Sequence, residues 1–111
     1  MTKRGLSHPE HLRLGQVLSG VRDQLVREQV TLSNAYPRTG PRAFPAKRLE
    51  VAIEALDAAR TALDDAVFQE HPAVAETFDY YPNTERRAEV VVPEKPGNSA
   101  DRGLRAVRAV R

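Results

Sequence analysis

Residues 46–70, AKRLEVAIEALDAARTALDDAVFQE, place Leu49, Ile53, Leu56, Leu63 and Val67 at separations of four, three, seven and four. That spacing gathers apolar side chains on one stripe of a helix with 3.6 residues per turn. Ala52, Ala55, Ala58, Ala59, Ala62 and Ala66 raise helix propensity and keep the surface small, so that a second helix can come close. Glu54, Asp57, Asp64 and Asp65 give the opposite face an acidic, solvated character. The helix is expected to start near Pro45 or Ala46 and to stop at about Glu70, because Pro72 pushes His71 out of the helical region.

A second helix is expected upstream. Ser7, His8, Pro9 and Glu10 read as a capping box with proline in the first turn, which starts a helix at about His8. Its inner stripe is Leu14, Val17, Leu18, Val21, Leu25 and Leu32, with Arg13, Arg22, Asp23 and Arg27 outside and with Ser33 and Asn34 at its end. Gly15 and Gly20 each weaken a helix by about 1 kcal/mol relative to alanine, so close backbone contact with a neighbour is expected there.

Between the helices, residues 33–45 contain Pro37, Gly40, Pro41 and Pro45, a composition that excludes helix and strand. Tyr36 and Phe44 are expected to fold back over this end of the hairpin, with Arg38 and Arg42 as a small basic site. Phe68, Phe78, Tyr80 and Tyr81 are expected to plug the other end, near the start of the first helix. Residues 73–79 have the composition of one further helical turn. Beyond them, Val90, Val91 and Val92 form a short β-favouring run, and residues 94–101 have linker composition. The last ten residues repeat arginine at 102, 105, 108 and 111, a period of three that drifts around a helix.

Composition limits the function. The chain has 111 residues, 5% aromatics and no cysteine, so the core is small and neither disulfides nor cysteine-based zinc sites support it. No apolar run approaches the roughly 18 residues of a membrane span, and no apolar segment follows Lys3 and Arg4 as in a secretory signal. A cytoplasmic, soluble protein is the expectation. Arginine outnumbers lysine fourteen to three, as in proteins from GC-rich bacterial genomes. Residues 1–44 carry a net +4, residues 45–79 a net −5 and residues 80–111 a net +3, so an acidic centre has basic flanks.

Few residues suit chemistry. His8 and His11 lie three apart, and in an antiparallel hairpin His71 returns to the same end with Glu70 or Asp64 in reach. A metal needs at least a third ligand and usually a fourth, so these histidines are expected to be exposed or to serve the cap, with no metal or other cofactor. The acidic residues lack the Glu-x-x-His pairs of di-iron bundles, and phosphate-binding glycine loops and nucleophile triads are absent. No enzyme activity and no small-molecule substrate are expected.

The fold class that follows is all-α. An antiparallel two-helix hairpin with a long proline-rich loop occupies residues 7–81, behind a short lead-in (1–6) and ahead of an extended basic tail (82–111). Two stripes on so short a hairpin leave apolar surface wet, so dimerisation to a four-helix bundle or docking as an accessory subunit of a larger bacterial assembly is expected. Partner contacts are assigned to Leu14, Leu18, Val21, Leu25, Leu49, Ile53, Leu56, Leu63 and Val67. Tail docking is assigned to Arg86, Arg87, Val90, Val91, Val92, Arg102, Arg105, Arg108 and Arg111. The alternative is a nucleic-acid-associated protein that binds phosphates through its arginine-rich tail and loop.

Overall fold

A computed structural model of the chain describes residues 3–94. Two long helices, α1 (His8–Ala35) and α2 (Phe44–Glu70), form an antiparallel hairpin, and no strand occurs among the described residues. The start of α1 follows from its first turn. Ser7 Oγ accepts the Glu10 N–H at 3.2 Å, and the Glu10 carboxylate accepts the Ser7 N–H at 2.7 Å. These bonds, with Arg4 beside them, hold the Glu10 carboxyl below its ordinary range.

Helix α1 runs past Ser33 and Asn34 to Ala35. Both side chains point to solvent, where a polar residue costs a helix little, and Ser33 Oγ accepts a bond from Gln29. Pro37 is what ends the helix. It drives Tyr36 to the extended φ −131°, ψ 157°. At the far side Pro45 fits the first turn of α2, so that helix already begins at Phe44. The connection is therefore residues 36–43, shorter than expected, and it contains a 3-10 turn, Pro41–Ala43. Gly40 enters that turn at φ +84°, which favours glycine.

Tyr36 and Phe44 do not cover this end. Both are exposed, and each carries a guanidinium over its ring, Arg42 at 5.2 Å and Arg48 at 4.6 Å. At the other end the expectation holds for one aromatic of four. Tyr80 is fully buried, whereas Phe68, Phe78 and Tyr81 remain exposed.

Cross-helix bonds define the register. His11 meets Glu70, Ser19 meets Arg60 and Arg22 meets Asp57, so the numbers of facing residues add to 79 or 81. Arg22 and Asp57, both assigned to outer faces from the sequence, form a two-pronged ion pair at 2.6 and 3.1 Å instead. Opposite charge on the two helices places them there.

After α2, a 3-10 turn (Thr77–Asp79) and a second one (Thr84–Arg86) carry the chain back onto α1. Ala88 donates its N–H to Gln16 O at 3.0 Å, and Arg87 pairs with Asp23 at 3.0 Å. Gly15 lies against the Asp79 carbonyl and Gly20 against the Ala88 carbonyl. Both glycines have the close backbone neighbour expected of them, and it is this returning strap. A methyl group at either position would overlap a carbonyl oxygen.

Alanine normally strengthens a helix over glycine by about 1 kcal/mol. Here Gly15→Ala and Gly20→Ala are each expected to destabilise by at least about 1 kcal/mol, a drop of roughly 4–8 °C in Tm for a chain of this size. Thermal unfolding followed by circular dichroism measures it.

Candidate functional site

The stripe of α2 skips one position. Between Leu56 and Leu63, where spacing of four and three calls for an aliphatic, stands Arg60, a residue buried at 7% exposure. The small residue Ser19 faces it across the interface, and the strap supplies the acceptor. Arg60 Nη2 donates to Tyr80 O at 3.0 Å and to Ser19 Oγ at 3.2 Å, while Ser19 Oγ donates to the same carbonyl at 3.4 Å. Asp57 balances the charge, taking Arg60 Nη1 at 3.4 Å as well as Arg22. The hydrogen bond from Arg22 holds the Asp57 carboxyl below its ordinary range and raises the guanidinium of Arg22 in return. The ring of Tyr81 lies 4.6 Å from the Arg60 guanidinium.

Pinned by its carbonyl, Tyr80 sends its ring to the open end of the hairpin, where all three histidines of the chain meet. The Tyr80 hydroxyl lies 2.5 Å from His11 Nδ1, and His11 Nε2 donates to Glu70 Oε1 at 2.9 Å. Burial, ahead of the charges of Glu70, Asp79 and Asp64, pushes the Tyr80 hydroxyl up to about 12, so it stays protonated at any physiological pH. His11 is 2% exposed, against the expectation of an exposed or capping residue. His71 caps α2 and donates from Nε2 to Leu6 O at 2.8 Å, with its ring centre 5.7 Å from that of His11. His8 donates from Nε2 to Asp79 Oδ2 at 3.0 Å, and the same oxygen accepts the Glu76 N–H. Donor atoms of His11, Glu70 and His71 all lie within 4.8 Å of one another, so among the described residues these three are placed to share a cation. Beside them a cleft of about 360 Å³ is lined by His8, Leu12, Phe78, Asp79 and Arg86, among others.

Asp64 stands apart from these pairings. Its Oδ1 is buried and accepts no hydrogen bond among the described residues. Desolvation first, then the charges of Asp65 and Asp79, raise its carboxyl above the ordinary range.

The stripe residues assigned to partner contact lie along the hairpin seam. Leu14, Leu18, Val21 and Leu25 of α1 and Leu49, Ile53, Leu56 and Leu63 of α2 are half-buried, and Val67 is buried. Of the residues assigned to tail docking, Arg87 is already engaged within the chain by Asp23 and Pro82 O. Arg86 stands at the cleft, Val90 is half-buried, Val92 is exposed, and Val91 is 95% exposed. Arg102, Arg105, Arg108 and Arg111 fall outside the described residues.

Sequence reasoning missed Arg60, Ser19 and Asp79, and it placed Tyr80 at the open end as a plug without its bonds to His11, Ser19 and Arg60. The seven-residue gap between Leu56 and Leu63 was the available signal, since a charged residue inside an apolar seam needs a buried partner. No protein-family model, no curated protein and no solved structure matches the chain. Its class is therefore defined by its own geometry, a helical hairpin latched by a C-terminal strap. No helix among the described residues is long and apolar enough to cross a membrane.

A raised carboxylate favours the fold when protonated. The contribution of Asp64 is therefore fully present below the unfolded carboxylate range, near pH 4, and is lost as pH rises through the folded value. Asp64→Asn is expected to raise Tm near pH 7 and to leave it unchanged at about pH 3, as read by thermal scans at the two pH values.

Proposed function

We propose that this chain is a small non-enzymatic interaction protein of the cytoplasm, which assembles through its hairpin either with a second copy of itself or as an accessory subunit of a larger bacterial assembly. The observation that carries this reading is how little of the apolar surface a single chain covers. Only Ala43, Val67 and Tyr80 are buried hydrophobic residues among those described, while the other stripe leucines, isoleucine and valines stay half-covered. An aliphatic side chain stabilises by about 1.5–3 kcal/mol only when fully removed from water. A partner that completes the covering makes up the deficit, as in other small scaffolds without disulfides or metals.

The outer face of α2 suits such a partner. Val51 is 53% exposed and lines up with exposed Ala55, Ala58 and Ala62 at spacings of four, three and four. These small residues make a flat strip on which another helix can lie at short range. Two hairpins joined there form an antiparallel four-helix bundle. In this reading the chain beyond Ala88, beginning with Val90, Val91 and Val92, is a docking arm, and the absence of cysteine suits a reducing compartment.

Light scattering on the purified protein at two concentrations and two salt levels tests the assembly. The expected mass is twice 12.3 kDa, insensitive to salt and free of nucleic-acid absorbance. Val51→Glu is expected to return the chain to a monomer with unchanged helix content. A salt-insensitive monomer at every concentration overturns self-assembly, and salt-sensitive co-purifying nucleic acid favours the phosphate-binding alternative.

A further inference from the structure

We propose that His11, Glu70 and His71 form a binding site for a divalent transition-metal ion of the zinc class, with water completing the coordination. The chain has three histidines in 111 residues, and the hairpin brings all of them to one end. His11 comes from the first turns of α1, Glu70 is the last residue of α2, and His71 leaves the helix at φ −135°, ψ 58°. Their donor atoms are already clustered. His11 Nε2 lies 2.9 Å and His71 Nε2 4.0 Å from Glu70 Oε1, and all three donors fit within 4.8 Å.

A tetrahedral zinc ion holds nitrogen and oxygen at about 2.0–2.2 Å, which sets neighbouring ligands roughly 3.3 Å apart. His11 and Glu70 are close to that separation at 2.9 Å, and His71, at 4.0 Å from Glu70, has to close by about 0.7 Å to reach it. The mobile partners are on the correct side. Glu70 is 43% exposed at its side chain and His71 is half-buried, so both adjust by rotation at the end of a helix and leave a path for the ion and its water.

The buried ligand is the fixed one. Metal-bound histidines ordinarily give their second ring nitrogen to an oxygen acceptor, which sets the tautomer and aims the ring. His11 Nδ1 faces the Tyr80 hydroxyl at 2.5 Å, and Tyr80 is itself fully buried. In the metal-free chain Nε2 carries the proton that Glu70 accepts; on binding, the His11 ring takes the other tautomer, with the proton on Nδ1 donated to the Tyr80 oxygen and the Nε2 lone pair turned toward Glu70 and His71. On binding, His71 gives up its bond to Leu6 O and carries its proton on Nδ1. No net proton transfer to solvent is required when both rings are neutral.

The donor set selects the metal. Two imidazoles and one carboxylate, with no sulfur, suit zinc, cobalt, nickel or copper, whereas calcium and magnesium require shells built mainly from oxygen. His8 is outside the set, because its Nε2 is occupied by Asp79.

The test uses the full chain, purified without a polyhistidine tag and freed of metal by chelator. Calorimetric titration with zinc chloride is expected to show one ion per chain and a raised Tm, and magnesium chloride in parallel is expected to show neither. Cobalt(II) is expected to develop the visible absorption of a tetrahedral nitrogen and oxygen site. His71→Gln and Glu70→Gln, both at the exposed side of the cluster, are each expected to lower zinc affinity by about tenfold or more while helix content is kept. His8→Ala is expected to leave it unchanged. Absence of saturable zinc binding by the folded wild type overturns the proposal, as does binding that neither exposed-side variant weakens.

Discussion

The guanidinium of Arg60 holds three segments of the chain at one point, and the rest of the structure is arranged around what that buried cation requires. An arginine in the seam of two helices is costly unless its charge is balanced and its donors are used. Asp57, shared with Arg22, lies against Nη1, Ser19 and the Tyr80 carbonyl take Nη2, and the buried Nε is left without an acceptor among the described residues, so the requirement is met in part. The carbonyl belongs to a segment twenty residues further along, so the strap has to return to the hairpin. Once it returns, α1 needs glycine at 15 and 20 to admit the carbonyls of Asp79 and Ala88. The same return carries Tyr80 to His11 and Asp79 to His8, which creates the polar cluster at the open end.

This arrangement divides the molecule energetically. The open end is tied by directional bonds from His8 to Asp79, from His11 to Tyr80 and Glu70, and from His71 to the Leu6 carbonyl, each worth about 1 kcal/mol net and together fixing the ends of both helices. At the closed end the aromatics are as exposed as Phe68, Phe78 and Tyr81 at the open end, but there is no buried counterpart of Tyr80. Tyr36 and Phe44 stack only on arginines, and a shallow cleft of about 310 Å³ opens between Leu32, Tyr36, Ala43 and Lys47, with six further residues around it. Few covered apolar contacts mean low local stability, and regions of that kind are the first to open. A partner of the kind proposed would add most where the single chain is weakest, and the proposed metal at the other end would tie together what the strap has already gathered.

Much of the hairpin was legible in the sequence because its signals are local. The capping box of Ser7 and Glu10, the stripe from Leu49 to Val67 and the stop at His71 and Pro72 each act within a few residues. Gly15 and Gly20 announced a close neighbour but not which one. The site was less legible because it is made by long-range contact. Tyr80 meets His11 across 69 residues and Ser19 across 61, and its aromatic character marked it as a plug for the open end without singling it out from Phe68, Phe78 and Tyr81 or naming the groups it meets. Arg60 was hidden for a different reason. A periodicity count records the leucines on either side and passes over the residue between them, although the interruption is the informative part. His11 looked like one of a pair of capping residues, and only the returning tyrosine makes it buried.

Amide hydrogen exchange at Ala88, whose N–H is given to Gln16 O, tests most directly whether the strap is latched through Arg60. The account predicts a protected Ala88 amide in the native chain, and in Arg60→Met a loss of that protection while amides in the middle of α1 and α2 keep theirs. An Ala88 amide that exchanges at the free-peptide rate in the native chain, or one that stays protected in Arg60→Met, would contradict it.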